Sequence, residues 1–286
     1  MKGQEEKYLY DLSIVLPTLG RSNEVDAMLE SIYRYDNSRY NIEIIVVDQN
    51  YSNLLDVIIS KYSSKKYPLS HVKVPFRGLS KAKNFGAQKA RGKYICFIDD
   101  DAEFLEGAID LALSELSNNN IDIISGRCVD RCGVDSVVSF SDEESFLTLD
   151  DFEGKFVEST MFFKTNLTKK YSYDENMGVG AFYGSQEGYD IVYRMLRDGV
   201  IIKFNPSLKF YHPQTITDHT SCSSIKRSFN YRCGYGYLCR KHGFQIRFWS
   251  RFIKVLFYIL VLPFFRPRDI RFYVAEELGN LVGWLI

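Results

Sequence analysis

The sequence lacks a long apolar run, an internal repeat and a low-complexity segment. A membrane-spanning helix needs about 20 apolar residues, whereas the apolar run at 255–265 is short and contains Pro263. These features exclude a polytopic membrane protein, a repeat array and a disordered chain. The first residues also lack the apolar core of a secretory signal, so we expect a cytoplasmic protein.

Cysteine is scarce and net charge is absent. The six cysteines show no even framework, so we expect reduced thiols. The 36 basic and 36 acidic side chains cancel, but they are unevenly distributed along the chain. Between Ser224 and Ala275, eleven Lys and Arg oppose one acid, which gives this segment +10 and the remainder −10. The basic segment therefore predicts an anionic partner.

From Leu12 to Ser125, short β-branched and aromatic runs alternate with helical patterns, as in βαβ units. We expect a helix capped by Ser22 and running to about Tyr35, and a second one capped by Ser80. This order predicts an α/β fold with a mainly parallel central sheet flanked by helices. The predicted strands are Ser13–Leu16, Ile42–Val47, Val72–Val74, Tyr94–Ile98 and Ile121–Ile124.

The pattern is less regular after Asp150, with predicted strands near Val157–Phe163 and Ile201–Phe204. After His212 the chain is helical, basic and aromatic in character. An apolar run with basic neighbours is typical of a helix that lies in a membrane interface. Those neighbours are Arg247, Arg251, Lys254, Arg266, Arg268 and Arg271.

Three carboxylates, Asp99, Asp100 and Asp101, directly follow an apolar strand. Side chains alternate in an extended segment, so Asp99 and Asp101 can share one side. Two convergent carboxylates suit Mg²⁺ or Mn²⁺ carrying a substrate diphosphate. Taken alone, the triplet fits a solvated acidic loop equally well.

The position of the triplet favours a ligand site. In a doubly wound sheet, ligands bind beyond the carboxyl ends of the strands. Pro17-Thr18 follows the first predicted strand, Asp48-Gln49-Asn50 follows the second and the acidic triplet follows the fourth. We therefore expect one pocket to contain all three groups.

The order of these motifs resembles that of the inverting family 2 glycosyltransferases of GT-A fold, across about residues 11–215. The matching segments are Ser13-Ile-Val-Leu-Pro-Thr18, Ile44-Ile-Val-Val-Asp48, Gly78-Leu-Ser-Lys-Ala-Lys-Asn-Phe-Gly86 and, at the D-x-D position, Asp99-Asp100-Asp101. The resemblance implies a nucleotide-diphosphosugar transferase. We expect a catalytic domain over 1–221, with a nucleotide-binding half at about 11–125 and an acceptor half at about 126–221. Residues 222–286 would form a helical, membrane-associating extension.

The resemblance also implies roles for individual residues. Thr18 and Asp48 would hold the nucleoside, Asp99 would lie near ribose or diphosphate, and Asp101 would bind the metal together with Asp99. Pro17 and Asp100 would also bind the substrate. Gln49-Asn50 replaces the family's Asp-Gly, which leaves the base less certain. Lys83 replaces an Arg and keeps a positive charge for phosphate, although a solvated lysine also fits. Arg21 would reach phosphate or lie near a helix start.

Further along, Ser185-Gln-Glu-Gly-Tyr-Asp-Ile-Val-Tyr-Arg194 resembles the family's Glu-Asp-x-Asp-Leu-x-x-Arg helix start. Gly188 takes the second acidic position, so Glu187 is the candidate base and Asp190 the alternative. Asp190 also fits an ion pair with Arg194. His212 matches a histidine that ligates the metal in many family members, although a structural role fits it as well.

These features together predict an inverting transfer from a nucleotide diphosphate sugar, of which UDP-sugar is the expected type, with Mn²⁺ or Mg²⁺. The basic extension predicts a polyprenol-linked glycan acceptor at the inner face of the cell membrane, in O-antigen or capsule synthesis. Two alternatives stay open: a sugar nucleotidyltransferase, and a non-catalytic membrane-bound nucleotide-sugar-binding protein. Nucleic acid is not expected, because the basic segment is joined to an apolar run. The oligomeric state is not indicated.

Overall fold

The computed structural model describes residues 8–117, 120–214 and 217–286. These residues form two compact units. The described part of the first unit comprises 8–76, 82–117, 120–172 and 192–214, and that of the second comprises 77–81, 173–191 and 217–286. The second unit therefore contains two segments from before the predicted extension, and the predicted division at residue 221 stays a prediction.

The first unit is built on a sheet that has nine strands within the described residues. The strands are β1 (Tyr10–Thr18), β2 (Ile42–Asp48), β3 (Leu69–Lys73), β4 (Gly92–Phe97), β5 (Glu103–Phe104), β6 (Ile123–Val129), β7 (Ser145–Phe146), β8 (Phe162–Lys164) and β9 (Ile202–Tyr211). Their order is β3-β2-β1-β4-β8-β6-β9-β5, and β7 pairs with β9. The half from β3 to β4 is parallel, as predicted, whereas β8 is antiparallel to both β4 and β6.

Helices cover both faces of β1, which is why this strand is apolar throughout its centre. Its even-numbered side chains, such as Ile14, join the main core with residues of three helices. Val15 points to the other face, where a Cβ on Gly86 would lie 2.3 Å from its Cγ1. Gly86 thus lets a helix approach the sheet closely. The described helices are α1 (Asn23–Arg34), α2 (Asp56–Tyr62), α3 (Leu79–Lys89), α4 (Ala108–Ser117), α5 (Asn166–Lys170), α6 (Glu187–Arg197), α7 (Cys222–His242), α8 (Gln245–Val261) and α9 (Ile270–Leu285).

Each predicted strand overlaps an observed one, but the strand predicted near Val157–Phe163 is correct only for Phe162 and Phe163, because Glu158–Thr160 form a 3-10 turn. The structure also corrects both predicted helix caps. Ser22 occupies the N-cap position of α1, yet its side chain makes no capping hydrogen bond. Ser80 lies inside α3, and its hydroxyl donates to the carbonyl of Met177 at 2.7 Å. A contact with a residue so distant in sequence cannot be read from local spacing.

The C-terminal part of the second unit consists of α7, α8 and α9. Close approach of α7 and α9 depends on glycine, since a Cβ on Gly283 would lie 2.0 Å from the carbonyl oxygen of Cys233. A Cβ on Gly236 would lie 2.2 Å from the carbonyl oxygen of Asn280. Phe248 of α8 is buried and stacks on Trp284 of α9, with ring centroids 4.4 Å apart. Within the described residues, every helix is too short or too polar to cross a membrane.

Candidate functional site

The carboxyl ends of β1, β2 and β4 meet at one edge of the sheet. Thr18 lies opposite Asp48 at the ends of β1 and β2. The pairing of β1 with β4 ends at Val15 and Phe97, and the acidic triplet begins two residues later. The sheet topology thus places the three predicted polar groups at one edge of the first unit, as parallel strands require.

Asp100 joins the ends of β1 and β4. Thr18 donates its hydroxyl to Oδ2 of Asp100 at 2.7 Å. The guanidinium of Arg21 lies 2.7 Å from Oδ1 of Asp100 and 2.5 Å from Oδ2 of Asp101. The expected alternation does not occur, because β4 ends at Phe97 and residues 100–101 form a turn. Arg21 therefore binds two neighbouring carboxylates, and its contact with phosphate stays a prediction.

The protonation of this cluster follows from burial and charge. Burial raises the pKa of Asp100, and the hydrogen bond from Thr18 and the charge of Arg21 offset that rise only in part. Burial also lowers the pKa of Arg21, but the charges of Asp100 and Asp101 outweigh it and raise the pKa. Arg21 thus stays cationic beside two acids.

Asp48 is fully buried and held by three donors. Its Oδ1 accepts from the backbone N–H of Asn50 at 2.8 Å and from the side-chain amide of Asn50 at 2.7 Å. Its Oδ2 accepts from Nε2 of His71 at 2.8 Å. A carboxylate has about four acceptor positions, so capacity for one further donor remains. The role of His71 could not be predicted from the sequence, because the contact is made across neighbouring strands.

Pro17 lies inside β1 without breaking the sheet. The N–H of Ile98 donates to the carbonyl of Val15, so the backbone N–H and C=O groups of the odd-numbered residues of β1 point toward β4. The pairing with β4 ends at Val15, and Pro17 follows it. The missing N–H of Pro17 therefore costs no ladder hydrogen bond.

His212 lies beside Asp101. Its Nδ1 donates to the carbonyl of Pro213 at 2.8 Å, since a carbonyl can only accept. Its Nε2 lies 3.5 Å from Oδ1 of Asp101. In the neutral ring, Nε2 and the carboxylate are then two acceptors that face each other. A proton or a cation between them would relieve the repulsion.

Carboxylate oxygens and an imidazole nitrogen suit a divalent cation, although these side chains do not form a complete coordination shell. A backbone carbonyl that fixes the tautomer of a histidine is a usual feature of metal-ligating histidines. Asp99 is partly exposed. Within residues 8–117, 120–214 and 217–286, no three His, Cys, Asp or Glu side chains are grouped as a complete metal site. Binding of a metal by Asp101, Asp99 and His212 stays a prediction.

Lys83 is placed differently from a solvent-facing phosphate ligand. Its side chain is 2% exposed, and Nζ lies 2.9 Å from Oε1 of Glu158, which is also buried. A buried pair of this kind is costly to break, because a single unpaired charge would be left. The predicted contact between Lys83 and phosphate stays a prediction.

Glu187 begins α6 in the second unit, directly after a strained residue. Gln186 has φ +74°, which is uncommon for a residue other than glycine. Glu187 is partly exposed, and a Cβ on Gly178 would lie 3.3 Å from its Oε2. The glycine-rich segment 178–184 therefore packs against the candidate base, as its small residues allow.

Asp190 is fully buried in the second unit and anchors α6 to the end of α7. Its Oδ1 lies 2.8 Å from Nζ of Lys241 and 2.8 Å from Nε2 of His242. Burial lowers the pKa of Lys241, but hydrogen bonds to Asp174 and Asp190 outweigh it and raise the pKa. These contacts favour a positioning role for Asp190.

Residues 13–184 match the model of the family described as Glycosyl transferase family 2. A chain segment is 30% identical over 125 residues to the minor teichoic acid biosynthesis protein GgaB of Bacillus subtilis, covering 42% of this chain and 14% of that protein. Another match is 30% identical over 122 residues to the GalNAc(5)-diNAcBac-PP-undecaprenol beta-1,3-glucosyltransferase of Campylobacter jejuni. It covers 41% of this chain and 38% of the relative. The matches thus span well under half of these relatives.

Solved structures show the same fold over nearly the whole chain. TarS residues 1–349 of Staphylococcus aureus superpose with a TM-score of 0.60 at 16% identity, covering 93% of this chain and 90% of that one. The mannosyltransferase PcManGT of Pyrobaculum calidifontis, solved with GDP-Man and Mn²⁺, superposes with a TM-score of 0.62 at 14% identity. This match covers 98% of this chain and 89% of that one. The GT-A fold is therefore confirmed, with helices flanking a central sheet and a C-terminal helical extension.

Proposed function

We propose, from the premise that the chain belongs to glycosyl transferase family 2, that it moves a sugar from a nucleotide diphosphate donor to a lipid-linked glycan. The observation that carries this proposal is the meeting of Thr18, Asp48 and Asp100 at one edge of the sheet. A lipid-linked glycan is the proposed acceptor, because the Campylobacter relative is named for an undecaprenol-linked glycan. A UDP-sugar is the proposed donor, because TarS has been solved with UDP-GlcNAc. The proposed setting is surface polysaccharide synthesis, such as O-antigen or capsule.

The donor would bind at the edge formed by β1, β2 and β4. The remaining acceptor capacity of Asp48 suits an N–H of the base, and Thr18 lies beside it in register. Arg21 would supply positive charge near the diphosphate. A divalent ion, Mn²⁺ or Mg²⁺, held by Asp101, Asp99 and His212 would offset negative charge on the leaving diphosphate.

The proposed chemistry is a single displacement. Glu187 takes the proton of the acceptor hydroxyl, and that oxygen attacks the anomeric carbon as the bond to the diphosphate breaks. Attack from the side opposite the leaving group inverts the configuration. Asp190 stays the alternative base, but its contacts with Lys241 and His242 support Glu187 instead.

The test offers labelled UDP-, GDP- and dTDP-sugars with bacterial lipid extract and Mn²⁺ or Mg²⁺. We expect the wild-type protein and the control Glu24→Gln to transfer sugar, and Glu187→Gln to be slower by at least about 100-fold. Glu24 is an exposed residue in the first turn of α1. Equal rates for Glu187→Gln and the wild type would contradict the assignment of the base.

The same assay separates the two alternatives. A sugar nucleotidyltransferase would release pyrophosphate from a nucleoside triphosphate and a sugar 1-phosphate. A non-catalytic binding protein would bind the donor with no transfer, whether or not Glu187 is replaced. Either result would overturn the proposed function.

A further inference from the structure

Helix α8 carries a continuous row of exposed apolar side chains. They recur every three or four residues, which places them on one face of the helix. The row continues into two aromatic residues directly after the helix, Phe264 and Phe265, which are 83% and 80% exposed. We refer to these residues together as the α8 stripe: Ile246, Trp249, Ile253, Leu256, Phe257, Leu260, Phe264 and Phe265.

The other face of α8 is already occupied. Phe248 is 1% exposed and packs with Phe252 on Trp284 and neighbouring rings. Packing on that side fixes which face of the helix is exposed. The stripe therefore cannot be buried by rotating α8 without losing the stacking of Phe248 on Trp284.

The surface around the stripe is positively charged. Four exposed cations lie on α8, in the segment after it or at the start of α9, and none has an ion-pair partner within the described chain: Lys254, Arg266, Arg268 and Arg271. The acids of residues 245–286 do not offset them. Glu276 and Glu277 are buried, and the side chain of Asp269 is 16% exposed and lies beside His219.

We propose that the α8 stripe inserts into an anionic lipid bilayer, with the helix axis along the membrane surface. An apolar helix face with an uncompensated basic border fits acyl chains and anionic headgroups together. A second copy of this chain fits less well, because it would bring the same four cations together. This inference rests on the proposed lipid-linked acceptor and adds the surface that would contact the membrane.

The test is sedimentation of the full chain with vesicles, in the absence of donor and acceptor. Vesicles of phosphatidylcholine with about one-third phosphatidylglycerol are compared with pure phosphatidylcholine. The double variant Ile253→Glu/Phe257→Glu changes two stripe residues that are 63% and 66% exposed. The matched control is Val57→Glu in α2, because Val57 is 83% exposed and lies outside the stripe.

We expect the wild type and Val57→Glu to bind the anionic vesicles, and the double variant to bind at least about 100-fold more weakly. Lys254→Gln should weaken binding about fivefold, and pure phosphatidylcholine should bind more weakly than the anionic mixture. Circular dichroism should show unchanged helix content, since the replaced side chains are exposed.

Two results would overturn the inference. One is binding of the double variant equal to that of the wild type. The other is absence of binding by the wild type, including the case in which light scattering shows the stripe buried in a dimer that the double variant dissociates. Transfer to a water-soluble acceptor is measured separately, so a failure of the transferase proposal leaves the vesicle result unaffected.

Discussion

At the scale of single residues, the edge of the sheet is defined by a few short hydrogen bonds to carboxylates. Thr18 and Asp100 could be placed near each other from the sequence, because parallel strands end at the same edge. The contact of Arg21 with both Asp100 and Asp101 could not be predicted from the sequence, because it depends on the turn after β4. The burial of Lys83 against Glu158 could not be predicted either, because the two residues are far apart in sequence.

Replacing Thr18 by Val should remove the hydrogen bond to Asp100 while preserving the shape of the side chain. We expect a loss of about 1 to 2 kcal/mol in the free energy of unfolding at pH 7, because a part-buried carboxylate loses a donor. Urea denaturation measures the change. Thr165→Val is the matched control, since the buried hydroxyl of Thr165 has no hydrogen-bond partner within the described residues. A similar loss in both variants would contradict the role of the hydrogen bond.

Glu277 predicts a pH dependence of stability in the second unit. Burial raises its pKa from 4.5 to about 7. The folded chain therefore holds this proton more tightly than the unfolded chain, so stability falls as the pH rises from about 4.5 to about 7. The side chain of Gln does not titrate. We therefore expect the free energy of unfolding of Glu277→Gln to exceed that of the wild type by up to about 3 kcal/mol at pH 8 and by little at pH 4.5.

Denaturation at the two pH values tests this prediction. The neighbouring variant Glu276→Gln is the control, because it weakens the ion pair with Arg232 at 2.7 Å and should destabilise the protein at pH 8. A stability difference between Glu277→Gln and the wild type that stays constant with pH would contradict the account.

At the scale of elements, apolar periodicity predicted the existence and type of the strands better than their ends. β1, for example, extends beyond the predicted Ser13–Leu16 on both sides. The two-residue strands β5 and β7 were missed, because each is defined by pairing with β9 and has no pattern of its own. The antiparallel direction of β8 could not be predicted either, because the direction of a strand depends on the path of the chain.

The pairing of α7 and α9 provides the element-scale prediction. Gly283→Ala would place a Cβ 2.0 Å from the carbonyl oxygen of Cys233, so the helices must separate. We expect a loss of about 2 to 4 kcal/mol in the free energy of unfolding. Leu278→Ala in the same helix is the control, because Leu278 is 53% exposed and its truncation should cost under about 0.5 kcal/mol. Equal thermal stability of Gly283→Ala and the wild type would refute the close approach.

At the scale of the whole molecule, the sequence predicted the fold and the family but not the division into units. The order of strands and motifs was sufficient for the GT-A fold, because each motif follows a strand of the parallel half. The grouping of residues 173–191 with the C-terminal helices was not foreseen. That grouping depends on contacts such as Asp190 with His242, which local patterns do not encode.

The central claim is that a nucleoside diphosphate binds at the carboxyl ends of β1, β2 and β4 with a divalent ion. Titration calorimetry with UDP measures it most directly, in Mn²⁺ and in chelator, for the wild type, Asp101→Asn and the exposed-loop control Asp150→Asn. We predict that chelator weakens binding by at least about tenfold for the wild type and the control, and that Asp101→Asn in Mn²⁺ binds as weakly as the wild type in chelator. Equal affinities for UDP, GDP and dTDP with and without chelator would contradict the claim.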